Sequence, residues 1–401
     1  MVRRQCSAGG ADGGWREPTV QVAEGQVKRL CVEAQNCMIQ NRWLDLASLM
    51  ITSADVIFSK ASEKDLECVY TVICNLVSKS ESLDQVHEMT ELISTKVTQQ
   101  PNDKPALRLK ILFNLYNLLD NPYSQFFVYM KALNLATYGK VTEHVIPSFR
   151  KIDNFMREWN LGVKDRRDLF LAVSNILKDS KSSAKDSFDF LVKYLETFSG
   201  DDVLSVAEAK EEAVRAVIEF VKSPDMFQCD LLDMPAVVQL EKDAEYAPIY
   251  QLLKIFLTKR LDAYLDFYSS NSSILGRYGL VHEDLISKMR LISLVDLGKN
   301  ESGQIPYSLI KETIQIEDDE VEPWIVKAIS AKLIDCRIDQ INHVVVVSRY
   351  AERAFGLNEW KFLRSKLVAW RGNIANNSIL GRKSKFYSLP ADREYRFAFD
   401  L

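Results

Sequence analysis

Glycine and proline are scarce in this sequence, which limits how often a helix can be interrupted. Only 15 glycines and 11 prolines occur in 401 residues, whereas leucine, lysine, glutamate and alanine dominate long stretches. Glycine and proline destabilise a helix interior most, and the other four residues are among the strongest helix formers. The composition therefore predicts a mainly α-helical chain. Its length suits two or three packed units better than one compact core.

An excess of charge of either sign is also missing. The 51 lysines and arginines nearly balance the 55 aspartates and glutamates, so the net charge is −4. This balance excludes a protein that binds nucleic acid or an anionic membrane along its whole length. No segment reaches the roughly 18 apolar residues that span a bilayer, so no membrane partner is predicted. The start, MVRRQCSAGGADGGW, lacks the apolar core of a secretory signal, and residues 1–20 are expected to form a disordered tail on a cytoplasmic protein.

The residue patterns of catalytic and metal sites are absent as well. The four histidines share no metal-ligand spacing with each other or with a cysteine, and no HExxH, P-loop, GxGxxG or GxSxG motif occurs. The seven cysteines are odd in number and never form CxxC, which indicates reduced thiols rather than a disulfide framework. We therefore predict no catalytic residue, no metal and no cofactor, and interpret the chain as a non-enzymatic protein.

From residue 21 to residue 278 the hydrophobic pattern is that of successive amphipathic helices. Two clear stripes have side chains spaced three and four apart, namely Leu169, Phe170, Val173, Ile176 and Leu177, and Ile249, Leu252, Leu253, Phe256 and Leu257. Each helix must cover its stripe against a neighbour, and a stack of antiparallel helix pairs does so. We therefore predict an α-solenoid over 21–278. An irregular helical bundle is the alternative that the same pattern allows.

Residues 279–350 have a different pattern, with three helices followed by two strands. The helices are predicted at 284–297, 305–314 and 324–333, and the strands at 336–338 and 343–348. This order is that of a winged helix, which often binds DNA. Between residues 305 and 349, however, five basic residues stand against eight acidic ones, and five of the acids precede the third helix. Those acids would face phosphate groups, so we predict a module that contacts protein.

The last strand of this module carries four consecutive valines, Val344, Val345, Val346 and Val347. Successive side chains of a strand point to opposite faces of the sheet, so both faces are apolar. One face can rest on the winged-helix core, and the other needs a cover. Our hypothesis is that a partner subunit covers it or adds a strand at the outer edge of the sheet. Coverage from within the chain is the alternative.

A final helix is predicted within the segment 351–374. Its apolar residues repeat with the alternating three and four spacing of a coiled-coil seam, and they are Trp360, Leu363, Leu367, Trp370 and Ile374. The seam favours a helix that joins a bundle of partner helices, and packing back on the winged helix is the alternative. Residues 375–401 lack a clear period and are expected to be loosely ordered. Residues 357–401 carry nine basic and four acidic side chains, so direct RNA binding through this segment alone is a competing hypothesis.

Helical repeats, a winged helix and a lone terminal helix, in this order, resemble the PCI-domain proteins. These occur in the proteasome lid, the COP9 signalosome and translation initiation factor 3. The sequence is similar in particular to the subunit M family of eukaryotic translation initiation factor 3, and its stretch 22–100 resembles the plant members. The resemblance lies in the segments LRLKILFNLYNLLDN (107–121), REWNL (157–161), SPDMF (223–227), IFLTKRLDAYLDFY (255–268), GLVHEDLISKMRLISLVDLG (279–298) and VEPWIVKAISAKLIDCRIDQINHVVVVSR (321–349).

This resemblance implies a non-catalytic scaffold subunit of the initiation factor 3 complex. The implied partners are the other PCI and MPN subunits and, through the complex, the small ribosomal subunit. The implied role is to support assembly of the 43S pre-initiation complex and recruitment of messenger RNA to the small subunit. A PCI subunit of the COP9 signalosome or the proteasome lid is the alternative with the same fold.

Overall fold

The computed structural model describes residues 18–60, 62–80, 82–178, 184–200, 203–299, 303–353 and 357–384. The chain divides into two compact units, Met1–Thr197 and Phe198–Leu401. Most of the predicted N-terminal tail at 1–20 and most of the predicted C-terminal tail at 375–401 lie outside the described residues. Within the described part of the chain, no helix combines the length and apolar character needed to cross a lipid bilayer.

The first unit consists of helices that pack in sequence order. They are α1 (Pro18–Ile39), α2 (Trp43–Lys60), α3 (Glu63–Val77), α4 (Leu83–Thr98), α5 (Pro105–Leu118), α6 (Pro122–Tyr138), α7 (Ile152–Trp159), α8 (Val163–Lys178) and α9 (Ala184–Glu196). From α2 to α6 each helix contacts the next helix, and α2, α3, α4 and α6 also contact the next but one. This is the contact pattern of stacked helix pairs, and it confirms the predicted α-solenoid over the irregular bundle.

The apolar stripes read from the sequence form the cores of both units. Leu169 and Val173 of the α8 stripe are fully buried, and so are Leu253 and Phe256 of the later stripe. Neighbouring helices supply the opposite wall of each core, because a single amphipathic helix cannot cover its own apolar face.

The second unit begins with further helices and ends with a small sheet and a long helix. Its elements are α10 (Val203–Glu208), α11 (Lys210–Lys222), α12 (Pro235–Val238), α13 (Ala247–Thr258), α14 (Leu261–Arg277), α15 (His282–Leu297), β1 (Gln304–Pro306), α16 (Tyr307–Ile314), α17 (Val321–Ser330), β2 (Ile334–Asp339), β3 (Val344–Tyr350) and α18 (Leu357–Ser384). The order from α15 to β3 is that of a winged helix, as predicted. Helix α18 continues to Ser384, beyond the predicted end at residue 374.

The two strands predicted after the third helix are present as β2 and β3, but the sheet has a third strand, β1, that the sequence analysis did not predict. The sheet order is β1-β3-β2, with both neighbours antiparallel to β3. The second helix is predicted over 305–314, but residues 305 and 306 belong to β1 (Gln304–Pro306), and Pro306 is the N-cap of α16. A strand of three residues that contains a proline gives no periodic signal, and it forms here because β3 provides a long partner.

A buried lysine connects two helices of the second unit. Lys288 of α15 is only 3% exposed, and its Nζ donates hydrogen bonds to the carbonyl oxygens of Phe220 and, at 2.7 Å, Ser223. The same Nζ lies 4.4 Å from the centroid of the Phe220 ring. These carbonyls end α11 and have no partner within that helix, so a buried donor is needed there. Burial lowers the pKa of Lys288 to about 7, because desolvation disfavours the charged ammonium.

Replacing Lys288 by methionine is expected to destabilise the chain by about 2 kcal/mol, because carbonyl oxygens at the end of α11 lose their hydrogen bonds. Chemical denaturation of the full chain, followed by circular dichroism, measures the loss. Lys222→Met is the matched control, since Lys222 is exposed at the end of the same helix. An equal loss in both variants, or none in Lys288→Met, would contradict this role.

Candidate protein–protein interface

Helix α18 exposes the whole predicted seam to solvent. The relative exposures are 59% for Trp360, 37% for Leu363, 52% for Leu367, 64% for Trp370 and 68% for Ile374. Every other described side chain between residues 360 and 374 is exposed too. The seam therefore does not pack back on the winged helix in this structure. Two tryptophans and three aliphatic side chains on one narrow line form a surface that a partner could bury.

A shallow groove runs along one edge of this seam. It has a volume of about 360 Å³ and is lined by Trp360, Leu363, Leu367 and Val368, together with the arginines Arg364 and Arg371. All six residues lie on α18, at spacings of three and four. The groove is therefore the side of one helix, where side chains of a second helix could interdigitate.

The four valines of β3 divide between the two faces of the sheet. Val345 is buried in the winged-helix core, whereas Val346 is 38% exposed on the opposite face and Val344 and Val347 are half-buried. Because β3 is the central strand, both of its edges are already paired, and the open edges of the sheet belong to β1 and β2. Any added strand would therefore have to pair with β1 or β2, and Val346 offers only a small apolar contact.

The helix that would read DNA in a winged helix presents apolar side chains to solvent. Val326 and Ile329 of α17 are exposed. Lys327, one of the few basic residues nearby, donates a hydrogen bond to Ser287 Oγ at 2.8 Å and lies 4.5 Å from the Trp324 ring centroid. This surface provides few positive charges to bind a phosphate backbone, in agreement with the excess of acidic residues in the module.

Arg353 anchors the chain just before α18, and the sequence analysis did not find it. Its buried guanidinium donates hydrogen bonds to the carbonyl oxygens of Phe256 at 3.3 Å and Lys259 at 2.6 Å, and it forms an ion pair with Asp296 at 3.1 Å. Burial alone would raise the pKa of Asp296, but the guanidinium groups of Arg260 and Arg353 lower it below its ordinary value. No local pattern reveals these contacts, since the carbonyl partners lie more than ninety residues earlier.

None of the described residues forms a group of three or more histidine, cysteine, aspartate or glutamate side chains placed to hold a metal ion. The described cysteines are free thiols. Burial raises the pKa of Cys74 and Cys229 to about 12 in each case, which keeps both thiols protonated and unreactive at neutral pH.

Two family models match the C-terminal part of the chain. The PCI domain family matches residues 257–349, which include the winged helix, so the chain is a PCI-domain protein. The family described as "eIF3 subunit M, C-terminal helix" matches residues 353–376.

Full-length relatives extend the match over most of the chain. Eukaryotic translation initiation factor 3 subunit M of Dictyostelium discoideum is 33% identical over 337 residues, which is 82% of each chain. Subunit M of Homo sapiens is 29% identical, covering 84% of this chain and 88% of the relative, and that of Nematostella vectensis is 28% identical, covering 78% and 81%. The chain belongs to the subunit M family of eukaryotic translation initiation factor 3.

Replacing Arg353 by methionine is expected to loosen the base of α18 and to cost about 2 kcal/mol of stability. Hydrogen exchange should accelerate at the Cys229 amide, which donates to the Arg353 carbonyl at 3.4 Å. Arg349→Met is the control, because the Arg349–Asp335 ion pair is exposed and its loss should leave stability unchanged. Unaltered exchange at Cys229 in Arg353→Met would show that Arg353 is not an anchor.

Proposed function

We propose that this chain is a non-catalytic scaffold subunit of the eukaryotic translation initiation factor 3 complex, acting in the cytoplasm. In this role it supports assembly of the 43S pre-initiation complex and recruitment of messenger RNA to the small ribosomal subunit. The observation that carries the proposal is the position of the exposed seam. The exposed seam at 360–374 lies within the segment 353–376 that matches the family's C-terminal helix.

Three parts of the chain have different roles in this assembly. The helical repeats are predicted over 21–278, and those in the second unit, such as α11 and α14, contact the first helix of the winged-helix module, 279–350. The segment from 351 onward supplies a helix that joins a bundle of helices from other PCI and MPN subunits. Contact with the small ribosomal subunit is indirect and depends on the whole complex.

The seam is the strongest contact that this arrangement offers. Burying two tryptophans and three aliphatic side chains is worth on the order of 10 kcal/mol before the costs of association are subtracted. The outer face of the sheet, with Val346 and half-buried Val344, is a smaller second contact. Loss of the seam alone should therefore release the chain from its partners.

Leu367→Asp is expected to release the chain from its complex while its helical circular dichroism is preserved, because Leu367 is exposed in the free chain. Affinity purification of the tagged chain from cells measures the release. Ala369→Asp is the matched control, since Ala369 is exposed on the opposite side of α18 and should leave the complex intact.

The same purification tests which complex contains the chain. Initiation factor 3 subunits with small-subunit ribosomal proteins are the expected partners. Recovery of deneddylase or proteasome subunits instead would assign the chain to the COP9 signalosome or the proteasome lid. Unfolding of isolated Leu367→Asp would show that the seam belongs to an internal core, which would contradict the proposed interface.

A further inference from the structure

The charge of α18 differs from that of the rest of the chain. The whole chain has a net charge of −4, but the segment 360–374 contains no acidic residue. Its four basic residues are Lys361, Arg364, Lys366 and Arg371. The exposed apolar seam therefore lies on a strongly cationic stretch of helix.

Two of these cations lie directly beside the seam. If the seam residues occupy the first and fourth positions of a heptad, Arg364 and Arg371 both occupy the fifth position, on one edge. They line the same groove as Leu363 and Leu367. One heptad separates them, which corresponds to about 10 Å along the helix axis. Lys366 occupies the seventh position, on the other edge of the seam.

The two arginines are available for a partner. Both side chains are exposed, and neither forms a salt bridge with another described residue. Guanidinium groups bind carboxylates through paired hydrogen bonds. In coiled coils, charged residues at the fifth and seventh heptad positions decide which helix can pair with which.

A second copy of this chain satisfies these positions only in part. In a parallel pair of α18 helices, Arg371 would lie next to the seventh-position Lys366 of the other copy, whereas Arg364 would lie next to the seventh-position Glu359. In an antiparallel pair, arginines would face arginines. Like charges meet at one of the two positions in the parallel pair and at both in the antiparallel pair, so a different helix with carboxylates at both positions is the better partner. A nucleic acid could neutralise the arginines, but it would leave Leu363 and Leu367 in water.

We propose that the α18 seam binds an acidic helix, with its own apolar seam and with two carboxylates one heptad apart that pair with Arg364 and Arg371. This inference rests on the proposed function, because it specifies the chemistry of the partner at the same seam. The apolar residues supply most of the affinity, and the arginines choose the partner and its register.

Two synthetic helical peptides test the proposal against the full chain. Both carry the same leucine seam, and one has glutamate and the other lysine at the flanking heptad positions. The glutamate peptide is expected to bind about tenfold or more tightly than the lysine peptide. Arg364→Glu combined with Arg371→Glu should reverse this preference.

Lys361→Glu and Arg364→Glu change the charge of the helix equally. Because Lys361 does not line the groove, only Arg364→Glu should weaken binding of the glutamate peptide.

Three results would overturn the proposal. The first is equal binding of both peptides. The second is an oligouridylate that binds more tightly than the glutamate peptide, with Lys361→Glu and Arg364→Glu weakening its binding equally. That result would indicate an RNA-binding surface. The third is self-association of the full chain in sedimentation, abolished by Leu367→Asp. If the peptides bind equally but Leu367→Asp still releases the chain from its complex, the scaffold function stands and only the acidic partner is wrong.

Discussion

An amphipathic helix is stable in water only where something covers its apolar stripe. In the helical repeats each stripe packs against the next helix and often the one after it, as in α2 to α6. In the winged helix, the apolar inner face of the sheet is covered in the same way, and Val345 of β3 is buried there. Helix α18 is different, because its stripe from Trp360 to Ile374 is exposed along its whole length. Among the described helices, α18 is the one whose predicted apolar stripe has no cover from the chain itself.

Two buried basic side chains hold together the elements of the second unit that precede α18. Lys288 joins the end of α11 to the first helix of the winged helix. Arg353 joins the segment before α18 to the carbonyl oxygens of Phe256, in the last turn of α13, and of Lys259, just after it. Each side chain satisfies backbone acceptors that a helix end leaves without partners.

Local patterns in the sequence predicted the features that depend on neighbours in the chain. The stripe that includes Leu169 and Val173 predicted a buried helix face, and the seam through Leu367 predicted a helix, which is α18. Long-range contacts were not predictable. Strand β1 exists only because β3 pairs with it, and Arg353 binds carbonyls of Phe256 and Lys259 far earlier in the chain. The helix end at Ser384 was missed because residues beyond Ile374 continue the helix without continuing the apolar repeat.

The central claim is that the α18 seam is open in the free chain and covered in the assembly. Hydrogen exchange of the amides in 360–374, measured in the free chain and in the purified initiation factor 3 complex, tests it most directly. Rapid exchange in the free chain and strong protection in the complex is the expected result. Equal exchange in both states, or strong protection already in the free chain, would contradict the claim.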